Sequence, residues 1–238
     1  MKIFIVTFVV FVSLQALLTF EKHTPREKIF IPPTKNILNF TFGYNDFLSS
    51  LMWVRVVQDF HICDQSSRNV KYPELKNTVD PLKEIIEREL PTSRCENGWV
   101  FQMLDVISEL SPDFRTVYTD GGTMLSVLVD DRLGARTIFE KGRLQFPKDW
   151  EILYKSAYHE LFEMQNPKLA EELMRKAGDN GAPRWVYSLS AKLLTRMGRA
   201  QMAKTILEDV LNRDRSGAFS DRIKSQLKRV NEVLRGGK

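Results

Sequence analysis

Small, large and small residues recur along this chain at intervals of 33 to 35 positions, and that recurrence constrains the fold more than anything else in it. Val100, Ala135, Ala170 and Ala203 are spaced 35, 35 and 33 apart. Leu104, Phe139, Met174 and Leu207 each follow four positions later, and Ile107, Gly142, Ala177 and Val210 seven positions later. Offsets of four and seven place the three residues on one face of a helix. A second series runs between them: Tyr118, Leu153 and Tyr187, each followed four later by Gly122, Ala157 and Ala191. Pro112 and Pro147 fall twelve positions after Val100 and Ala135; proline has no N–H with which to continue a helix. Such a period in a helix–turn–helix context predicts stacked helical hairpins, none of which can bury its apolar face alone.

The rest of the chain is arranged around that series. Ile3 to Phe20 is 18 residues without a charge. As a helix it would span about 27 Å, close to the roughly 30 Å of a bilayer's hydrocarbon. The nearest small-residue cleavage candidate, Leu14-Gln15-Ala16, is poor and lies inside the apolar run. The expectation is an uncleaved signal anchor over 1–20, with a cleaved signal peptide as the alternative. Charges flank both sides, so the positive-inside count does not decide orientation. The two-residue leader suggests that the long C-terminal part is exported. Residues 21–39, with Pro25, Pro32 and Pro33, read as a linker.

Residues 40–98 form the next unit. Phe40 to Phe60 is expected to be one helix, with Tyr44, Phe47, Leu48, Leu51 and Val54 on one stripe and Trp53, Val56, Val57 and Phe60 on another. Two stripes require cover on more than one side. Arg55 is read as pairing with Asp59 one turn on, or as a partner-binding residue. An irregular insertion follows, His61 to Asn97. It carries a short helix opened by Asp80-Pro81-Leu82. Cys63 and Cys95, the chain's two cysteines, lie near its ends. In an exported domain a bridge between them would stabilise by roughly 3–4 kcal/mol; two buried thiols are the alternative.

Trp99 to Leu110 and Phe114 to Val129 are expected helices, the latter either continuous or broken at Asp120-Gly121-Gly122. The repeats extend over 99–212, and the basic segment 213–238 closes the chain. Eight of its residues are basic and three acidic, the whole +5 excess of the protein. Ile223, Leu227, Val230 and Leu234 form a narrow stripe there, as a helix capping an open solenoid end requires.

No catalytic constellation emerges. His159-Glu160-Leu161-Phe162-Glu163 is half of a zinc-protease helix motif and lacks the second histidine. No phosphate-cradling glycine loop, nucleophile elbow or haem-attachment pair is present. The expectation is a protein that is not an enzyme and carries no cofactor, no metal, no small-molecule substrate and no nucleic acid.

The pattern resembles the tetratricopeptide repeat (TPR), matched by Tyr118, Gly122, Ala135, Phe139, Gly142 and Pro147, and again from Leu153 and from Tyr187. The first two units carry one extra residue between helices, and the turn glycine is kept only at Gly198, with the Asp131 and Asn166 regions standing in for it. The chain is also similar to single-pass TPR proteins of bacterial envelopes. The resemblance implies an all-α TPR-type helical solenoid with an N-terminal transmembrane helix and a C-terminal capping helix. It further implies a concave groove lined by Thr119, Thr123, Ser126 and Val127, then Tyr154, Tyr158, Leu161 and Phe162, then Ser188, Lys192, Thr195 and Arg196. Aromatics beside cations suit an extended peptide or partner helix, one bearing carboxylates included. The expected role is a membrane-anchored adaptor or assembly factor in a bacterial envelope complex, at the inner membrane with its soluble domain periplasmic. The alternatives are a structural subunit of a permanent complex, or a scaffold facing the cytosol.

Overall fold

A computed structural model describes residues 33–60, 93, 95–213 and 219–236. Every regular element among them is helical. A 3-10 turn, Lys35–Phe40, precedes α1 (Asn45–Asp59) and α2 (Trp99–Leu110). Then come α3 (residues 115–129), α4 (Arg132–Gln145), α5 (Trp150–Phe162), α6 (Pro167–Asp179), α7 (Trp185–Arg196), α8 (Ala200–Arg213) and α9 (Ser220–Gly236). Contacts join neighbours in sequence: α1 with α2, α3 with α4, and so on to α8 with α9. Alternate helices touch as well, α3 with α5 and α7 with α9.

Local chemistry explains the boundaries. Asp131 accepts from Gly134 N, Asp149 from Glu151 N and Ile152 N, and Asn166 from Leu169 N. Each satisfies N–H groups that a helix start leaves unpaired. Pro167 occupies the first turn of α6, where its missing N–H costs nothing. Helices α2 and α4 stop at Leu110 and Gln145, two residues ahead of Pro112 and Pro147, because the residue before a proline is pushed out of the helical region.

The periodic residues form the core. Val100, Ala135, Ala170 and Ala203 are buried, as are Leu104, Phe139, Met174 and Leu207. Close approach explains the glycines: a Cβ on Gly142 would stand 2.7 Å from Tyr118 Cβ, and one on Gly122 2.8 Å from Phe139 Cε1. Leu153, Ala157, Leu161 and Met174 continue into one cluster, and Tyr187, Ala191, Leu207 and Val210 into the next. Ile223 and Val230 of α9 complete the latter.

A second periodicity appears in the backbone. Asn97, Asp130, Gln165 and Gly198 all have positive φ, of 52°, 59°, 52° and 73°. They are 33, 35 and 33 positions apart, and each precedes a helix start (Trp99, Arg132, Pro167, Ala200) by two residues. The left-handed residues are therefore Asp130 and Gln165, within the Asp131 and Asn166 regions expected to stand in for the turn glycine. The extra residue sits in the same turns. Asp131 N donates to Leu125 O and Asn166 N to Glu160 O, six residues back, whereas Arg199 N reaches only five, to Leu194 O. Upstream, α3 runs through both glycines with π-type turns at Val117–Gly121 and Met124–Val129, so no break occurs at Asp120.

The helix expected over Phe40–Phe60 is shorter. It is interrupted at Thr41–Tyr44, where Phe42 and Gly43 both take positive φ, and α1 begins at Asn45. Among the described residues only one side of α1 is covered. Ser49, Val56 and Asp59 are buried against the molecule, while Phe47, Leu51 and Val54 are exposed. Arg55 does pair with Asp59, at 2.7 Å.

Among the described residues no helix is long and apolar enough to cross a membrane. The expected anchor over 1–20, most of the linker, and the Asp80–Leu90 helix lie outside the described residues, as does Cys63. Cys95 is buried.

Candidate functional site

Helices α3 and α5 lie side by side and leave a recess of about 100 Å³ between them. Thr123, Ser126 and Val127 line it from α3, Phe139 from below, and Tyr154, Lys155, Tyr158 and His159 from α5. The wall is almost wholly apolar, with a few polar atoms converging on it, which is the general character of a binding recess.

Ser126 and His159 form its floor. Ser126 Oγ lies 2.8 Å from His159 Nδ1, and both residues are buried. His159 also packs on the Phe139 ring, centroids 5.5 Å apart. Its Nε2 is buried with no partner in hydrogen-bond geometry. The ring's pKa is pushed down to about 4. Burial is the main cause; a contact with the Arg132 backbone opposes it, and the Arg136, Arg132 and Arg143 guanidinium charges add to it. At neutral pH the imidazole is therefore uncharged and carries one N–H. Next to it, Glu160 is buried and pairs with Arg136, Oε1 to Nε 3.1 Å. That carboxylate is turned to Arg136, so Ser126 and His159 form a hydrogen-bonded pair without an acid orienting the ring, as a nucleophilic triad would need.

The rim is aromatic and cationic. Tyr154 meets Trp185 edge-on with centroids 4.9 Å apart, and Tyr158 lies 4.2 Å from Phe162. Burial raises the pKa of the Tyr154 phenol. Lys155 is held in place by Asp120 at 2.9 Å and Glu151 at 3.0 Å.

The sequence-expected groove residues divide into three groups. Thr123, Ser126, Val127, Tyr154 and Tyr158 come together around the recess, with Phe162 beside Tyr158. Thr119 and Leu161 are buried instead; Thr119 Oγ1 turns to Thr116 O at 3.5 Å. Ser188 is buried beneath α9, where its hydroxyl donates to Gln226 Oε1 and its carbonyl accepts from Gln226 Nε2 at 2.7 Å. Lys192 and Arg196 remain exposed on α7, with Thr195 half-buried between them. The capping helix thus takes the Ser188 end of the expected groove out of reach of a ligand.

His159 is the lining residue that sequence reasoning set aside as half a zinc motif. Among the described residues no group of histidine, cysteine or acidic side chains is placed to hold a metal. The available signal was its distance from Ser126: 33 positions, one repeat. Compared with known family models, curated proteins and solved structures, the chain matches none.

Proposed function

We propose that this chain is a TPR-type helical solenoid, anchored to a bacterial inner membrane by residues 3–20, that acts as an adaptor or assembly factor by holding a segment of another protein. The observation that carries this reading is the recess between α3 and α5. It lies where first helices of successive repeats face each other, and its aromatic rim suits an extended peptide or a partner helix. The left-handed turns at a repeat spacing of 33, 35 and 33 support the architecture. An exported domain would also accord with a disulfide between Cys63 and Cys95, the chain's two cysteines.

The short groove keeps the expected affinity modest, so the tether would contribute by raising effective concentration. A photocrosslinking amino acid at Tyr158 tests the proposal in intact membranes. One partner should be captured there and lost with Tyr154→Ala. A label at Glu208, on the far side of the repeats, should capture nothing. No adduct at Tyr158, or the same adducts at both positions, would overturn the reading. A partner that copurifies stoichiometrically and ignores Tyr154→Ala would favour a structural subunit.

A further inference from the structure

The recess between α3 and α5 has a definite size and polarity, and both bear on what it takes. An apolar cavity of about 150 Å³ holds one benzene, six carbons. At about 100 Å³ this recess holds about four heavy atoms by the same measure. That is the side chain of a leucine, isoleucine or methionine; a phenyl ring or an indole exceeds it.

The hydroxyls of α3 and the rim lysine are already engaged. Thr123 Oγ1 donates to Thr119 O at 2.7 Å, Ser126 Oγ shares a hydrogen bond with His159 Nδ1 at 2.8 Å, and Lys155 Nζ donates to Asp120 Oδ1 at 2.9 Å. His159 Nε2 lacks a partner but is itself buried, out of an occupant's reach. A polar side chain entering here would give up its water for groups that are taken. An aliphatic one has no hydrogen bonds to lose.

Beyond the recess the groove turns cationic. Tyr154 on α5 meets Trp185 on α7, so α7 is the next first helix along. It carries Lys192 and Arg196, each 34 positions after Tyr158 and Phe162, and both are exposed. Helices α7, α8 and α9 together hold nine basic residues and four acidic ones. Three of the acids, Glu208, Asp209 and Asp221, already pair with Lys204, Arg213 and Lys224. This end therefore has fewer carboxylates than cations, and an acidic partner complements it. Lys155, in contrast, lies between Asp120 and Glu151, so a partner's acids belong beside α7 and not in the recess.

We propose that the held segment is read by two features: one aliphatic side chain of leucine, isoleucine or methionine size seated in the recess, and acidic residues nearby lying against Lys192 and the basic end of the stack. The inference rests on the adaptor reading given above and adds the chemistry of the partner. Packed helix axes lie about 10 Å apart and an extended chain advances about 3.3 Å per residue. The first carboxylate therefore falls roughly three residues from the anchor. Val127 and Tyr158, which wall the recess, set the size of the side chain admitted.

The experiment uses the full chain in detergent micelles as bait for random dodecapeptides displayed on phage. Peptides retained by the parent and lost with Tyr154→Ala should share Leu, Ile or Met at one fixed position, with Asp or Glu a few residues away. Val127 is 57% exposed, so Val127→Phe should narrow the recess and keep the helical circular dichroism. Retention of the selected peptides should then fall by about tenfold. Lys192→Glu should weaken them by about two- to fivefold. Recess-dependent peptides anchored by Phe, Tyr or Trp, flanks without acidic residues, or undiminished retention by Val127→Phe would each overturn this inference and leave the adaptor reading standing. If no retained peptide depends on Tyr154, this inference falls, and the adaptor reading falls with it only when the Tyr158 photocrosslink is also absent.

Discussion

At the scale of single residues, the molecule turns on how closely atoms approach and on what is buried beside what. Gly142 shows the first. In a helix an alanine is ordinarily better than a glycine by about 1 kcal/mol. Here the added Cβ would meet Tyr118 Cβ at 2.7 Å, Tyr118 Cγ at 3.0 Å and Ile152 Cγ2 at 3.2 Å. The Tyr118 Cβ rides on the backbone of α3 and cannot swing away. Gly142→Ala should therefore lower stability by about 1–3 kcal/mol in urea unfolding, against its helix propensity. His159 shows the second. Its folded pKa is lowered to about 4 from an ordinary 6.5. Between those values the unfolded chain binds a proton that the folded one refuses. Stability is therefore full above pH 6.5 and is lost as pH falls toward 4, by roughly 3 kcal/mol. His159→Gln can keep a hydrogen bond to Ser126 and does not titrate. The fall in melting temperature between pH 7 and pH 4.5 should be smaller for that variant than for the parent.

At the scale of elements, caps and turns set the hairpin register. Asp149 does two jobs: it accepts from Glu151 N and Ile152 N at the start of α5, and it binds Arg115 at 2.5 and 3.0 Å. The Arg115 guanidinium keeps its carboxyl below the usual carboxylate range. Asp149→Ala should cost about 1–2 kcal/mol, whereas Arg115→Ala, which removes only surface pairs with Asp149 and Glu151, should cost less than about 1 kcal/mol; thermal melts of the two variants check the order. Gln165 holds a left-handed φ of 52° that glycine adopts freely. Gln165→Gly should therefore be neutral or stabilising by up to about 1 kcal/mol, the reverse of the usual loop-to-glycine effect. Asp131, Asp149 and Asn166 are of the residue types that favour a helix start, but the sequence pattern marks the Asp131 and Asn166 regions only as turns and does not single out Asp149. The wide turns were legible only as an extra residue. Which backbone position absorbs it depends on the six-residue closures at Leu125 and Glu160, and these form because α4 and α6 must return against the preceding helix.

At the scale of the whole molecule, each helix buries its neighbours' apolar faces, so the last one needs a lid. Ile223 and Val230 of α9 are buried against α8, and Gln226 ties α9 to Ser188 of α7. Ile223→Asp should therefore destabilise the far end of the stack first, with hydrogen exchange rising in α7–α9 before α4–α6.

The sequence by itself determined the helical class, the positions of the packing residues and the place of the capping helix. Those follow from a 3.6-residue period, caps and prolines, all of which act within a few residues along the chain. Four of the residues the sequence singled out, Thr123, Ser126, Tyr154 and Tyr158, line one recess. Only the tertiary structure decided that Ser188 lies under α9, that His159 meets Ser126, and that α1 keeps one apolar face in the open. Each of these depends on the angle and register at which separate helices meet. That geometry is set by contacts such as Gly142 on Tyr118, between residues too far apart in the chain for any local pattern to record.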